Sequence, residues 1–148
     1  MTPADPQFDA RVRANFAKQV IMSKLRVSLA DVAPGRVVLE MPFQDDLIQQ
    51  HGFIHAGIIT TALDSACGYA AFSLMPAEAE VLTVEFKSNF LRPAAGDSFR
   101  FEGRVMKPGK TLIITEGRAF AITDQGEKEI SAMQATMMVV TGREGING

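Results

Sequence analysis

The sequence predicts an α+β fold in which an antiparallel sheet wraps around one long helix. The first reason is the segment from Gln49 to Met75, which is rich in Ala, Ile, Thr, Leu and Gly. Its residues are apolar almost all round a helical wheel, which is typical of a buried helix. The second reason is that the segments after it alternate apolar and polar residues between turn sequences, as antiparallel hairpins do. A sheet curled around that helix satisfies both patterns.

An N-terminal helix is predicted over about residues 6–23. Asp5-Pro6 is typical of a helix start, with the proline at the first helical position. Apolar residues then recur every four positions, at Phe8, Val12, Phe16 and Val20. Two strands are predicted after this helix, on either side of a turn at Pro34-Gly35.

The central helix is predicted over about residues 56–74, between His55 and Met75-Pro76. Four strands follow, separated by turns at 93–97, 108–109 and 124–127. In the first of them, strict alternation places Val84 and Phe86 on one face and Thr83 and Glu85 on the other. The tail 142–148 is expected to be flexible.

Composition indicates one ordinary globular domain over residues 1–148. Of the 148 residues, 47% are apolar and 22% charged, and the net charge is −2 with the charges scattered. Without a basic patch we expect no nucleic-acid partner. A single cysteine, Cys67, permits no intrachain disulfide. We find no signal peptide and no membrane-spanning segment, so a cytoplasmic protein is expected.

Asp64 is the anomaly in the central helix. It is the only Asp, Glu, Lys or Arg between Asp46 and Glu78. Burying a carboxylate without a partner is unfavourable and raises its pKa. One interpretation is a structural carboxylate satisfied by neighbouring hydroxyls or backbone donors. The other is a general base or nucleophile with a tuned pKa.

The start of the central helix offers a second chemical element. The first backbone N–H groups of a helix lack partners and carry partial positive charge. Ala56 and Gly57 are small, so a carbonyl oxygen could approach their amides closely, as in an oxyanion hole. The alternative is that Gly57 only permits close packing.

These two elements cannot meet within one chain. Ala56 and Asp64 are eight residues apart, which is about 12 Å along a helix axis. A base or nucleophile and an oxyanion donor must both reach one reacting carbon, within about 3 Å. Two antiparallel copies of the helix related by a two-fold axis could meet this requirement. A shared site therefore predicts a homodimer with two sites.

Metal and cofactor chemistry are not predicted. His51 and His55 are spaced i, i+4, but Gly52 between them argues against a helix that would bring both side chains to one face. The sequence also has no further cluster of residues that could complete a metal site. Cys67 fits core packing. No Ser-His-Asp pattern, phosphate-binding loop or dinucleotide fingerprint is found.

The same residues resemble a known family. The segment Gln49-Gln50-His51-Gly52-Phe53-Ile54-His55-Ala56-Gly57, followed by Asp64, is similar to hot-dog acyl-CoA thioesterases of the phenylacetic-acid-pathway (PaaI) and 4-hydroxybenzoyl-CoA thioesterase-like family. That family has His-Gly-Gly at the helix start, Asp or Glu at the position of Asp64, and Asn or Gln at that of Gln49. The strand sequences Thr83-Val84-Glu85-Phe86 and Leu91-Arg92-Pro93 match as well. The resemblance covers roughly residues 25–140, and Ala56 replaces the first glycine.

The resemblance implies hydrolysis of an acyl-CoA thioester to a free acid and CoA. The amide of Ala56, beside Gly57, would polarise the thioester carbonyl. Gln49 of the same chain would place the substrate or water. Asp64 of the partner subunit would be the nucleophile or general base, with Thr83 positioning the water from that side.

The resemblance also implies the surroundings of that site. His55, Gln50 and Ser65 are expected to contact the acyl-CoA substrate. No cofactor is implied. A homodimer is expected, with two dimers pairing into a homotetramer.

Two other functions remain open at this point. The same fold hosts acyl-thioester hydratases and dehydratases, for which His55 and Asp64 could be offered as the acid and base. A non-catalytic acyl-CoA binding module is the second alternative. A thioesterase would release CoA, and a hydratase would hydrate an enoyl-CoA. A binding module would bind acyl-CoA without turnover.

Overall fold

A computed structural model describes residues 1–143 and 145, which contain three helices and six strands. The predicted flexible tail 142–148 lies largely outside these described residues. The helices are α1 (Phe8–Lys18), α2 (Val20–Lys24) and α3 (Ala56–Phe72). The strands are β1 (Ser28–Ala33), β2 (Arg36–Pro42), β3 (Glu80–Phe90), β4 (Ser98–Lys107), β5 (Leu112–Thr123) and β6 (Gly126–Val140).

The six strands form one antiparallel sheet in the order β1-β2-β4-β5-β6-β3. Helix α3 packs against the inner face of this sheet and contacts β2 to β6. The predicted α+β architecture, a sheet wrapped around a long central helix, is therefore confirmed. The helix ends at Phe72, two residues before its expected end near residue 74.

Two glycines let the sheet approach α3 closely. Gly103 of β4 and Gly117 of β5 are direct partners across the ladder. A Cβ on Gly103 would lie 2.3 Å from the backbone oxygen of Ala66, and one on Gly117 would lie 2.8 Å from Cys67 Sγ. Both distances are shorter than van der Waals contact, so the middle of α3 rests directly on the bare backbone of the sheet.

The N-terminal helical segment is broken, which corrects the prediction of one helix over 6–23. Gln19 has extended backbone angles, φ −80° and ψ 97°, and separates α1 from α2. Val12 on α1 is buried, but Val20 on α2 is 66% exposed. The break occurs because the side chain of Gln19 turns inward and hydrogen-bonds to Ser65 and Tyr69 of α3.

Helix α1 is tied to the far end of α3 by Arg11. The guanidinium group donates to the carbonyl oxygens of Phe72 and Met75, at 3.0 and 2.8 Å, and pairs with Asp5. The last carbonyls of a helix lack internal partners, so a cation at this position satisfies them and complements the helix dipole. In the described part of the chain, no helix is long and apolar enough to span a membrane.

Strand β3 departs from strict alternation because it contains a β-bulge. Thr83 pairs with Met137 of β6, whereas Glu85 pairs with Thr136, so Val84 has no ladder partner. The extra residue reverses the alternation, so Phe86 pairs with Ala135. Met137 and Ala135 are both buried under α3. Thr83 therefore shares the inner face with Phe86, and the predicted opposition of these two residues is wrong.

Candidate active site

The amide of Ala56 is free at the start of α3, while its neighbour is not. His55 is the N-cap residue, and its Nδ1 accepts a hydrogen bond of 2.8 Å from the N–H of Gly57. Among residues 1–143 and 145, no acceptor contacts the N–H of Ala56. The capping imidazole thus leaves Ala56 as the free donor where the helix dipole concentrates positive charge.

Gln49 shapes the loop that leads into this helix. Its side-chain oxygen accepts from the N–H groups of His51 and Phe53, at 2.6 and 3.2 Å. Its backbone N–H donates to the carbonyl of Phe53 at 2.8 Å. With the oxygen fixed by the loop, the amide NH2 of Gln49 remains as the group available to a ligand.

Gln49 and Ala56 line one cavity of about 420 Å³. The cavity lies between the start of α3 and the segment that follows β3. Apart from Gln49 and Arg92, its walls are mainly apolar. The other lining residues are Phe53, Ile54, Ile59, Phe90, Leu91, Pro93, Ala94 and Ile130. The structure can therefore hold an apolar group next to the free amide.

Asp64 lies two turns further along α3 and faces β3. Thr83 Oγ1 donates to its Oδ1 at 2.9 Å. Burial raises the pKa of the Asp64 carboxyl above its usual 3.8, while the hydrogen bond from Thr83 opposes that rise. A carboxylate with a raised pKa is a stronger base than an exposed one, which suits proton abstraction from water.

Asp64 borders a second, smaller cavity of about 150 Å³. Most of its lining is polar and was not predicted from the sequence. Tyr69 donates to Asn15 Oδ1 at 3.0 Å and accepts from Gln19 at 3.3 Å, and Ser65 donates to Gln19 at 2.9 Å. The sequence carried no distinct signal for Asn15 and Gln19, because polar side chains are ordinary on one face of an amphipathic helix. The cavity is lined by Asn15, Gln19, Asp64, Ser65, Gly68, Tyr69, Glu80, Val81 and Thr83.

One chain therefore holds the two halves of the predicted site apart. Gln49 and Ala56 line the larger cavity, and Asp64, Ser65 and Thr83 line the smaller one. Gln50 is exposed and lines neither of them. The sequence predicted a helix that is buried on all sides, and this prediction is wrong in part. Ala56 and Gly57 are exposed, and Asp64 is partly exposed.

Cys67 has no chemical role in this arrangement. Cys67 is fully buried, and burial, with smaller contributions from the charges of Asp64 and Glu116, raises the pKa of its thiol to about 12. A thiol with that pKa is almost entirely protonated near neutral pH, so Cys67 is no nucleophile. Within the described residues, no group of three His, Cys, Asp or Glu side chains could hold a metal ion.

A single antiparallel sheet wrapped around one long central helix is the hot-dog fold. A family model of the thioesterase superfamily matches residues 51–128. This match begins at His51 in the loop before α3, and it includes the whole of α3 and strands β3 to β5. The chain belongs to the thioesterase superfamily.

The chain is also similar to solved structures and to a human protein. A thioesterase family protein from Silicibacter pomeroyi superposes with a TM-score of 0.90 at 52% identity, over 91% of this chain and 99% of that one. The E. coli PaaI protein of the phenylacetic acid degradation operon superposes with a TM-score of 0.82 at 18% identity, over 94% and 97%. Human acyl-coenzyme A thioesterase 13 is 28% identical over 61% of this chain and 64% of its own length.

Proposed function

We propose that this chain hydrolyses acyl-CoA thioesters at a site shared between two copies of the chain. The observation that carries the proposal is the separation of a free helix-start amide at Ala56 from a hydrogen-bonded carboxylate at Asp64. Each half has a chemical use in thioester hydrolysis, and neither is sufficient alone. The similarity to human acyl-coenzyme A thioesterase 13 supports CoA thioesters as the substrate class.

The proposed chemistry begins at the thioester carbonyl. Its oxygen accepts from the N–H of Ala56, which stabilises the negative charge that develops in the tetrahedral intermediate. As a general base, Asp64 of the partner subunit takes one proton from water while the water oxygen bonds to the carbonyl carbon. Collapse of the intermediate breaks the carbon–sulfur bond, and the proton leaves with the CoA thiol. As a nucleophile, Asp64 would instead bond to the carbonyl carbon and expel CoA as its thiolate, which leaves a mixed anhydride. Water would then open the anhydride to the free acid and the Asp64 carboxylate, and one proton of the water would go to the thiolate.

The remaining predicted residues fit around this step. Thr83 holds one oxygen of Asp64 and can orient the water beside it. The NH2 group of Gln49 is available to the substrate, because its oxygen is held by the loop. His55 acts on the site indirectly, since it occupies the N–H of Gly57. Contacts of Ser65 and Gln50 with the substrate stay predictions.

The second chain would join along β3. This edge strand has 11 residues and carries Leu82, Val84, Phe86 and Phe90, each at least 40% exposed. The opposite edge, β1, has six residues and a bulge between Leu29 and Asp31. Long apolar edges pair with another strand unless they are protected. In an antiparallel pairing of β3 with its copy, the start of the strand, where Thr83 borders the smaller cavity, would lie near the end of the copy's strand, which borders the larger cavity. A tetramer of two such dimers stays a prediction.

Asp64→Asn tests the proposed chemistry directly. The wild-type protein should release free CoA from acyl-CoA thioesters, and the variant should lose at least about 10²-fold in kcat, the scale of general-base catalysis. Asn keeps the size of the side chain, so the variant should still fold. A panel of acyl-CoA thioesters, with an enoyl-CoA to detect hydration, identifies the substrate class. Wild-type protein that binds acyl-CoA without releasing CoA would instead indicate a binding module.

Mixed dimers test the sharing of the site. One chain carries Asp64→Asn and the other carries Gln49→Ala, and each parent homodimer should be nearly inactive. If Asp64 and Gln49 come from different chains, one site of the heterodimer carries both lesions and the other carries none. About half of the wild-type activity should then return. A heterodimer as inactive as its parents would show that both residues serve from the same chain.

A further inference from the structure

We propose that Glu85 is a positioning residue: by holding the β-bulge at Val84 in place, it turns Thr83 towards Asp64. The inference deepens the proposed function and rests on it for its effect on turnover. Glu85 lies on the outer face of the sheet, whereas Thr83 and Asp64 meet on the inner face. Its influence therefore has to pass through the backbone of β3.

The bulge decides which way Thr83 faces. Residues opposite each other in an antiparallel ladder lie on the same face of the sheet. The partner of Thr83 is the buried Met137, and the partner of Glu85 is Thr136 on the other face. If Val84 occupied a ladder position, as in a regular strand, Thr83 would lie on the face opposite Phe86 and away from α3. The extra residue therefore places the Thr83 hydroxyl within 2.9 Å of Asp64.

The bulge disturbs the ladder of hydrogen bonds, and Glu85 compensates for the disturbance. Backbone N–H groups in a sheet require an acceptor, and a bulge removes regular ones. Here the N–H of Thr136 donates to Oε2 of the Glu85 side chain at 3.0 Å. A side chain of β3 thus bonds the backbone of β6 at the bulge itself. This bond fixes β3 on β6 immediately after Thr83.

Thr83 has a second, weaker contact that cannot supply the same orientation. Its hydroxyl lies 3.4 Å from Met137 Sδ, and thioether sulfur is a weak acceptor. If β3 straightens or shifts on β6, the hydroxyl loses Asp64 and the water loses its orientation. The side chain of Glu85 supplies a stronger hydrogen bond between β3 and β6 beside the bulge, because its acceptor is a carboxylate oxygen and not a thioether sulfur.

The test compares three single variants. Glu85→Ala removes the acceptor, Glu85→Gln keeps an acceptor oxygen but removes the charge, and Lys87→Ala removes a neighbouring outer-face side chain of β3. Glu85→Ala should lower kcat by roughly tenfold, the scale of one lost hydrogen bond, and about as much as Thr83→Ala does. Glu85→Gln and Lys87→Ala should keep kcat near wild type, and KM should change little in all of them.

A double variant shows whether Glu85 acts through Thr83. In Glu85→Ala combined with Thr83→Ala, the loss of kcat should equal that of Thr83→Ala alone. Additive losses would mean that Glu85 acts by another route, and the inference would be overturned. So would Glu85→Gln being as impaired as Glu85→Ala, because the charge would then matter and not the bond to Thr136.

Titration of Asp64 gives a readout that requires no turnover. The hydrogen bond from Thr83 lowers the Asp64 pKa, so NMR of the carboxyl carbon should show a higher pKa in Glu85→Ala than in Glu85→Gln. Both variants lack the negative charge of Glu85, so a difference in the Asp64 pKa between them does not come from that charge. The other polar groups around the cavity are the same in both variants: Asn15, Gln19, Ser65, Tyr69 and Glu80. An equal pKa in both variants would refute the inference. An unchanged turnover in Asp64→Asn would refute the proposed function instead.

Discussion

At the scale of single residues, the chemistry of the site follows from how α3 presents its one carboxylate. Asp64 is partly buried, and its hydrogen bond to Thr83 does not offset the burial, so its pKa remains raised. The same burial that makes Asp64 a better base makes its ionised form unfavourable in the folded protein. The stability of the protein therefore depends on the ionisation of this group.

Asp64→Asn should stabilise the folded protein, and the gain should depend on pH. Folding raises the pKa of Asp64 above 3.8. In the pH range between the unfolded and the folded pKa, the native state therefore binds more protons than the unfolded state. The contribution of Asp64 to the free energy of unfolding is present below the unfolded pKa and is lost as the pH rises through the folded pKa. The variant should melt at a higher temperature than wild type at pH 7, and the difference should shrink at about pH 4 and below. Scanning calorimetry measures both.

Asp124→Asn is the matched control for that comparison. Asp124 is an exposed aspartate in the β5–β6 hairpin. Its replacement should change the melting temperature little at either pH. A destabilised Asp64→Asn protein at pH 7 would mean that the carboxylate is structural, which was the alternative interpretation of this residue.

The sequence made Asp64 predictable because a lone carboxylate contrasts with the apolar residues around it. The roles of Ala56 and Gly57 could not be separated in the same way. They differ because the imidazole of His55 folds back onto one amide and leaves the other free. That choice depends on a side-chain rotamer and a ring orientation, which no spacing of residues encodes.

At the scale of elements, α3 and the two glycines beneath it determine how tightly the sheet can wrap. The predicted helix and the alternating strands β4 to β6 agree closely with the structure, because their periodicity reflects burial on one side. The break at Gln19 and the bulge at Val84 were missed. Both depend on side chains that bond to distant parts of the chain, Ser65 and Tyr69 in one case and Thr136 in the other.

Gly103→Ala should destabilise the fold more than Gly117→Ala. The new Cβ at residue 103 would meet the backbone of Ala66, which cannot move without shifting α3. At residue 117 it would meet the ends of the Leu63 and Cys67 side chains, which can adjust. Overpacking costs about 1–3 kcal/mol, so Gly103→Ala should lie at or above the upper end of this range in denaturant unfolding.

Gly68→Ala provides the control for the chemical change itself. Gly68 lies inside α3, and a Cβ there would meet nothing within 4 Å. Alanine favours the helix by about 0.5–1 kcal/mol over glycine, so this variant should be stabilised. If Gly103→Ala were no less stable than wild type, the close contact of sheet and helix would not be required.

At the scale of the whole molecule, the second copy of the chain that we propose would complete the site and cover the exposed edge of β3. The sequence predicted the need for that partner from the spacing of Ala56 and Asp64. It did not indicate the β3 edge that we propose for this contact, because that depends on which strand lies at the edge of the sheet. The crossover that places β3 beside β6 is a property of topology.

Phe86→Lys should weaken the dimer and the activity together. Phe86 is 44% exposed on the inner face of β3, and a lysine on an edge strand opposes pairing with another strand. Sedimentation over a range of concentrations should show monomers, with specific activity falling as the protein is diluted. Val20→Lys on α2, where the side chain is 66% exposed, should leave the dimer intact. A monomeric variant with full activity would contradict the shared site.

The depth at which Cys67 is buried has a practical consequence. Its sulfur lies between α3 and the sheet, fully buried, beneath the backbone of Gly117. A thiol reagent can reach it only when the helix lifts away from the strands. Under conditions where opening and closing are fast, the rate of alkylation is therefore proportional to the population of opened molecules. The natural Cys67 thiol therefore reports how often α3 separates from the sheet, and mass spectrometry of the alkylated protein measures this without an engineered cysteine.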